Sequence, residues 1–158
     1  MISAIHDSPV GPLTLVSDGE ALTHLEFESA RYPSAPQPRG RDKVIDKARR
    51  ELDAYFAGKL RAFSVKLAPE GTPFQKKVWD ALLTIPYGKT RSYGQQAAAI
   101  GAPNASRAVG LANGRNPIAI IIPCHRVIGA NGSLTGYGGG MERKKLLLDL
   151  EQGEALFR

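Results

Sequence analysis

Ile118-Ala119-Ile120-Ile121-Ile122-Pro123-Cys124-His125-Arg126-Val127 contains the only cysteine of the chain. The run leading into it is short, rich in isoleucine and bounded by Pro117 and Pro123. That composition predicts a buried strand. Pro123 has no N–H for a ladder, fixes its own φ and biases Ile122 toward extended backbone. The strand is expected to stop there and leave Cys124 at its carboxyl end, a frequent place for chemistry in α/β architectures.

A free thiol titrates near about 8.5, and a nearby histidine, arginine or helix N-terminus lowers that value. His125 and Arg126 follow Cys124 at once. In extended backbone, consecutive side chains point to opposite faces. Direct contact between Cys124 and His125 then requires a turn, whereas a bridging water or a helix starting at Cys124 would connect them. A lone cysteine is ordinarily a small buried hydrophobe. An inert core position has no use for two adjacent basic residues, and the pattern marks Cys124 as a nucleophile.

The 158 residues allow one domain or two small ones. The N-terminal residues lack the long apolar segment of a signal peptide, and no run approaches membrane-spanning length. One cysteine excludes an internal disulfide and suits a reducing compartment. A structural zinc site usually takes four Cys/His ligands, and the chain has only one cysteine and three histidines in all, so no metal is expected. The net charge of +6 is uneven: residues 1–70 hold ten Lys/Arg and ten Asp/Glu, and residues 71–158 hold eleven against five. No acidic residue lies between Asp80 and Glu142, an interval containing Lys89, Arg91, Arg107, Arg115 and Arg126. Soluble surfaces usually mix both signs. The economical partner for such a surface is a polyanion, nucleic acid above all.

Residues 1–6, 12–17 and 21–28 alternate apolar and polar side chains and read as strands, with Asp18-Gly19 as a hairpin signal. Residues 31–41 form a proline-rich loop. Val44, Ile45, Ala48, Leu52, Tyr55 and Phe56 recur at helical spacing before Gly58, and 61–67 reads as a further strand. Residues 68–72 are the expected linker between a domain over 1–67 and one over 73–158. The second begins with a capping box, Thr72 to Gln75, and an apolar face of Phe74, Val78, Ala81, Leu82 and Ile85. Ser92 caps a helix over 93–100, and Asn104 is the expected cap of another over 105–112 that ends at Asn113-Gly114. Two short helices around Gly101 suggest a helix-turn-helix. In the second of them Ala105, Ser106, Ala108 and Gly110 are small, and Arg107 is the one large polar side chain. Major-groove readers present several long polar side chains. A nearly bare helix permits close backbone approach, which suits the minor groove. A last helix covers 142–151.

The stretch from Asn116-Pro117 through Pro123-Cys124-His125-Arg126-Val127-Ile128-Gly129, with Gly136-Tyr137-Gly138-Gly139-Gly140, Ser92-Tyr93 and Arg107-Ala108-Val109-Gly110, resembles the O6-alkylguanine-DNA alkyltransferases. The likeness is dense over the second half; in the first half it rests chiefly on Ser8-Pro9-Val10-Gly11-Pro12-Leu13. It implies an α+β fold: a small ribonuclease-H-like domain, then a mostly helical one that binds DNA. The implied reaction moves an alkyl group from O6 of guanine, or O4 of thymine, to Cys124 once per molecule and without a cofactor. By the same resemblance His125 takes the thiol proton through a water, Glu151 orients His125, and Asn116 braces the cysteine loop. Tyr93 assists the departing base, and Val127, Tyr137 and Gly138 wall its pocket. Arg107 fills the stack behind the flipped nucleotide. The implied partner is double-stranded DNA bound through its minor groove by a monomer, in the cytoplasm, at the nucleoid if the source is bacterial. Two rival readings are a cysteine hydrolase, which would not need the acid-free half, and a non-catalytic alkyltransferase-like lesion binder, a class with tryptophan where Cys124 stands.

Overall fold

The structure, a computed structural model, describes residues 1–132 and 140–153. It divides into two compact units, Met1–Glu70 with Pro117–Ala119, and Gly71–Asn116 with 120–158.

In the first unit the alternating segments become β1 (Ile2–His6), β2 (Leu13–Ser17) and β3 (Leu22–Phe27), an antiparallel sheet in chain order. Asp18 accepts the N–H groups of Glu20 and Ala21 at the β2–β3 turn, where Gly19 takes φ 97°, a conformation that favours glycine. Helix α1 (Lys43–Phe56) packs on the sheet. Its N-cap Asp42 accepts the Ile45 N–H and the Ser17 hydroxyl, tying the helix start to β2. Leu13, Leu15, Leu22, Leu25, Ile45, Leu52 and Tyr55 form the core.

Two expected strands shrink to single bridges on the free edge of β3. Of 61–67 only Leu67 pairs, with Leu22; of 118–122 only Ile118 pairs, with Leu25. The rest of the isoleucine run is turn, and Ile120 has φ 71°. A continuous apolar run signals burial and not extension, because strand and buried turn share that composition. The bridges cover backbone groups that an edge strand would otherwise leave open.

In the second unit α2 (Pro73–Leu82), α3 (Tyr93–Ala99) and α4 (Ser106–Gly114) pack on one another. The capping boxes at Thr72 and Ser92 are both formed. Trp79 is buried and donates to Ala112 O at 2.9 Å, whereas Phe74, assigned above to the apolar face, is exposed. Helix α4 also departs from expectation. It starts one residue later, Ala105 at its cap makes no side-chain bond, and Asn113 and Gly114 continue it. A one-turn helix (Cys124–Arg126) and helix α5 (Met141–Glu151) complete the unit, with β4 (Arg91–Ser92) and β5 (Val127–Ile128) paired in parallel.

Candidate active site

The loop before Cys124 is shaped by one side-chain amide. Asn116 Nδ2 donates to Ile122 O at 2.7 Å and to Cys124 Sγ at 3.2 Å. Pro123 sits at φ −83°, ψ 64°, and the Cys124 N–H returns to Ile122 O at 2.8 Å. That is an inverse γ-turn, a common way to end an extended or irregular segment. Cys124 therefore opens a helical turn and does not close a strand, which corrects the expected placement. The turn is closed by the Arg126 N–H to Pro123 O, 3.0 Å. Cys124 is buried.

His125 is fully buried, and its Nε2 lies 2.7 Å from Glu151 Oε2. An ionised carboxylate only accepts, so Nε2 carries the hydrogen and Nδ1 is the bare acceptor. Among the described residues Nδ1 has no hydrogen-bond partner. Burial holds the His125 pKa below the ordinary 6.5, outweighing the raising effect of Glu151; the charges of Arg126 and Lys144 push it the same way as burial. The imidazole is thus neutral at pH 7, with one lone pair available as a base.

Glu151 is buried and receives two further bonds, from Arg126 Nε at 2.7 Å and Arg126 Nη2 at 3.1 Å. Burial alone would raise its pKa, but the bonds and charges of His125 and Arg126 prevail and bring it to about 2. Arg126 also donates to Ile85 O at 2.7 Å and lies over the Tyr87 ring, 5.8 Å from its centroid. Lys144 is the site residue that sequence reasoning missed. It is fully buried and donates from Nζ to Val127 O at 2.6 Å. Burial lowers its pKa, against the charge of Cys124, which acts to raise it. Its signal was present: Lys144, Leu147, Leu148 and Glu151 recur at helical spacing on one face.

Asn116, Cys124, His125 and Glu151 are therefore brought together. Val127 is fully buried, and its N–H donates to Cys124 O. Tyr93 follows β4 directly, half-buried, its ring 3.7 Å from where a Cβ on Gly110 would lie. Arg107 and Ala108 are exposed, and Ala105, Ser106 and Gly110 are partly so. Tyr137 and Gly138 lie outside the described residues. Of the five cations in the acid-free interval, Arg126 is spent inside the protein and Arg91 binds Ala81 O, Thr84 and Gln96; Lys89, Arg107 and Arg115 are the exposed ones. Among the described residues no group of three His, Cys, Asp or Glu is placed to hold a metal ion, and no helix is long and apolar enough to cross a membrane.

Two family models divide the chain between them. The ribonuclease-like domain of 6-O-methylguanine DNA methyltransferase matches residues 1–69, and its DNA binding domain matches residues 73–153. The chain belongs to this family. Family members named methylated-DNA--protein-cysteine methyltransferase include one from Mycobacterium tuberculosis, 58% identical over 154 residues, spanning 94% of this chain and 91% of the relative. One from Methanosarcina acetivorans is 56% identical over 153 residues, spanning 96% and 98%. A crystal structure of Mycobacterium tuberculosis OGT in complex with DNA superposes with a TM-score of 0.91 at 55% identity, covering 98% of this chain and 95% of that one. These relatives support both the two-part α+β architecture and the placement of DNA binding in the second part.

The site makes the fold acid-sensitive in two steps. The folded pKa of His125 lies below the unfolded 6.5, so its contribution is present above 6.5 and is lost as pH falls beneath it. That of Glu151, about 2 against an ordinary 4.5, is present above 4.5 and is lost on descent toward 2. Urea unfolding at pH 7, 5.5, 4 and 3 should show stability falling at each step. In Glu151→Gln, already weaker at pH 7 because Arg126 loses its counter-charge, the fall below 4.5 should be shallower.

Proposed function

We propose that this chain repairs O6-alkylguanine in duplex DNA by transferring the alkyl group to Cys124. The observation that carries the reading is the Asn116 amide bonded to the sulfur of the one cysteine, with the buried His125–Glu151 pair starting at the next residue, in a chain of this family. In a duplex, O6 of guanine lies in a paired edge, so the base must leave the stack first. His125 Nδ1 takes the thiol proton through a water, and Glu151 stabilises the imidazolium that results. The Asn116 amide donates to sulfur at 3.2 Å and favours the thiolate. Sulfur attacks the alkyl carbon, a C–S bond forms, and the C–O6 bond breaks with its electron pair going to guanine. The Tyr93 hydroxyl protonates or hydrogen-bonds the departing base, and Val127, Tyr137 and Gly138 wall it. The thioether has no route back to thiol by exchange, so each molecule acts once and no cofactor is consumed.

Helix α4 is the DNA-facing element of this reading. Its small exposed residues allow close backbone approach to the minor groove, the chain acts as a monomer, and Arg107 enters the space the base leaves. The rival hydrolase would turn over; this reaction ends with its product on the protein. Intact mass after incubation with an O6-methylguanine duplex should rise by one methylene, about 14 Da, with Cys124→Ser unchanged. A mass that stays constant while the substrate is consumed catalytically would make the chain a hydrolase.

Arg107 separates base extrusion from chemistry. Unstacking and unpairing a base requires a few kcal/mol, part of which a guanidinium filling the gap offsets. Free O6-benzylguanine needs no extrusion. Arg107→Ala should slow single-turnover repair of a duplex by roughly 10- to 100-fold, equivalent to ~1.4–2.8 kcal/mol, and should react normally with the free base. Arg107→Lys should recover only part, since lysine lacks the planar fork. Equal slowing on both substrates would make Arg107 structural.

A further inference from the structure

Helix α4 packs on α2 and α3 and buries Val109, Ala112 and Asn113. Its exposed residues are Arg107, Ala108 and Leu111, and Arg115, at the C-cap, is exposed as well. At 3.6 residues per turn, Arg107, Leu111 and Arg115 form one outward row, each about 40° round from the last. Leu111 is 71% exposed, more than any other large hydrophobic side chain among the described residues.

A single exposed leucine is ordinary. This one stands one turn from an arginine on either side, in the interval without a carboxylate. An apolar protein patch is a poor match for the row, because two unpaired arginines would have to leave water with the leucine. The minor groove of duplex DNA is a good one: phosphates line both rims, and a narrow cleft of sugar and base edges lies between them. The position along the helix matters too. Gly110 and Leu111 lie on opposite sides of Arg107 round the helix. The Tyr93 ring packs beside Gly110, so Arg107 stands between Leu111 and Tyr93. Along the axis Leu111 is about 6 Å from Arg107, less than two base-pair steps of about 3.4 Å.

We propose that Leu111 is a positioning residue for base extrusion, an apolar wedge that enters the minor groove beside Arg107 and unstacks the base step next to the vacated position. The inference rests on the reading above that α4 faces duplex DNA. Minor-groove proteins frequently insert leucine or another apolar side chain at a base step, partly unstacking and kinking the duplex. The two residues divide the work. Leucine opens the step, since it carries no polar group to desolvate on entering the stack. Arginine fills the gap, since its planar guanidinium stacks and pairs with acceptors.

Leu111→Ala should slow single-turnover methyl transfer from an O6-methylguanine duplex about tenfold, equivalent to ~1.4 kcal/mol, and should react normally with free O6-benzylguanine. Leu111→Met keeps the apolar reach and should restore most of the rate. Leu111→Lys adds a phosphate-binding charge, so it should hold the duplex at least as tightly at low salt yet react as slowly as the alanine variant. A 2-aminopurine one base pair from the lesion reports unstacking by its fluorescence. Cys124→Ser, which leaves the lesion in place, should brighten it on binding, and Cys124→Ser combined with Leu111→Ala should not. A Leu111→Ala chain as fast as the unaltered one on duplex, equal slowing on both substrates, or an aminopurine signal that survives the alanine change would each overturn the wedge. Loss of self-association in sedimentation beside an unmoved duplex rate would overturn it in favour of a second copy of this chain as the partner of Leu111. Failure of the unaltered chain to gain a methylene would sink the alkyl-transfer reading itself, whereas normal methyl transfer beside an unmoved Leu111→Ala rate would sink only the wedge.

Discussion

Glu151 places a carboxylate out of reach of water, and the catalytic half of the molecule is arranged around that charge. Desolvating an ion costs several kcal/mol, and the burial is tolerable only with close partners. Two supply it: His125 through Nε2, and Arg126 through two guanidinium nitrogens. Both come from the turn that carries Cys124, so the ion pair fixes α5 against that turn. Arg126 extends the tie to Ile85 O, just beyond α2. The electrostatic outcome follows. Glu151 and Arg126 cancel, and His125 stays neutral. The buried ammonium of Lys144 is then balanced when Cys124 is a thiolate. The same arrangement leaves His125 Nδ1 without a proton, facing the role of base.

The path into the turn is shaped by a second constraint. Ile120 takes φ 71°, a region where a β-branched residue is an outlier. Such a conformation costs on the order of 1–3 kcal/mol and persists only when its surroundings enforce it. Here the enforcement is visible: Ile118 is bridged to β3, Ile120 is buried, and the Asn116 amide holds Ile122 O and the sulfur together. A straight strand would have sent Cys124 and His125 to opposite faces. The turn lets consecutive residues serve one site.

Much of this was legible in the sequence, for identifiable reasons. The capping boxes at Thr72 and Ser92 are local hydrogen-bond patterns and read directly. The strands of the first unit alternate with period two, and the structure keeps them. Cys124 and His125 announced themselves by adjacency. The isoleucine run misled because composition reports burial, and the left-handed turn at Ile120 has no glycine to signal it. The burial of Trp79 is not a local signal, because its indole N–H pairs with Ala112 O, thirty-three residues away. Glu151 looks like an ordinary carboxylate in the chain; its meaning depends on Arg126 and His125 reaching it across twenty-five residues. Lys144 went unread because a lysine in a helix is ordinarily assigned to the surface, although its spacing from Glu151 placed both on one face.

The central claim is that Glu151 and His125 act together to deprotonate Cys124. The most direct measurement is the pH dependence of single-turnover methyl transfer, from pH 6 to 9.5, for the unaltered chain and Glu151→Gln. If the relay operates, the variant is slow at neutral pH and the deficit shrinks as pH passes the free-thiol value of about 8.5, where solvent removes the proton unaided. A deficit that stays constant to pH 9.5 would contradict the account and leave Glu151 a purely structural ion.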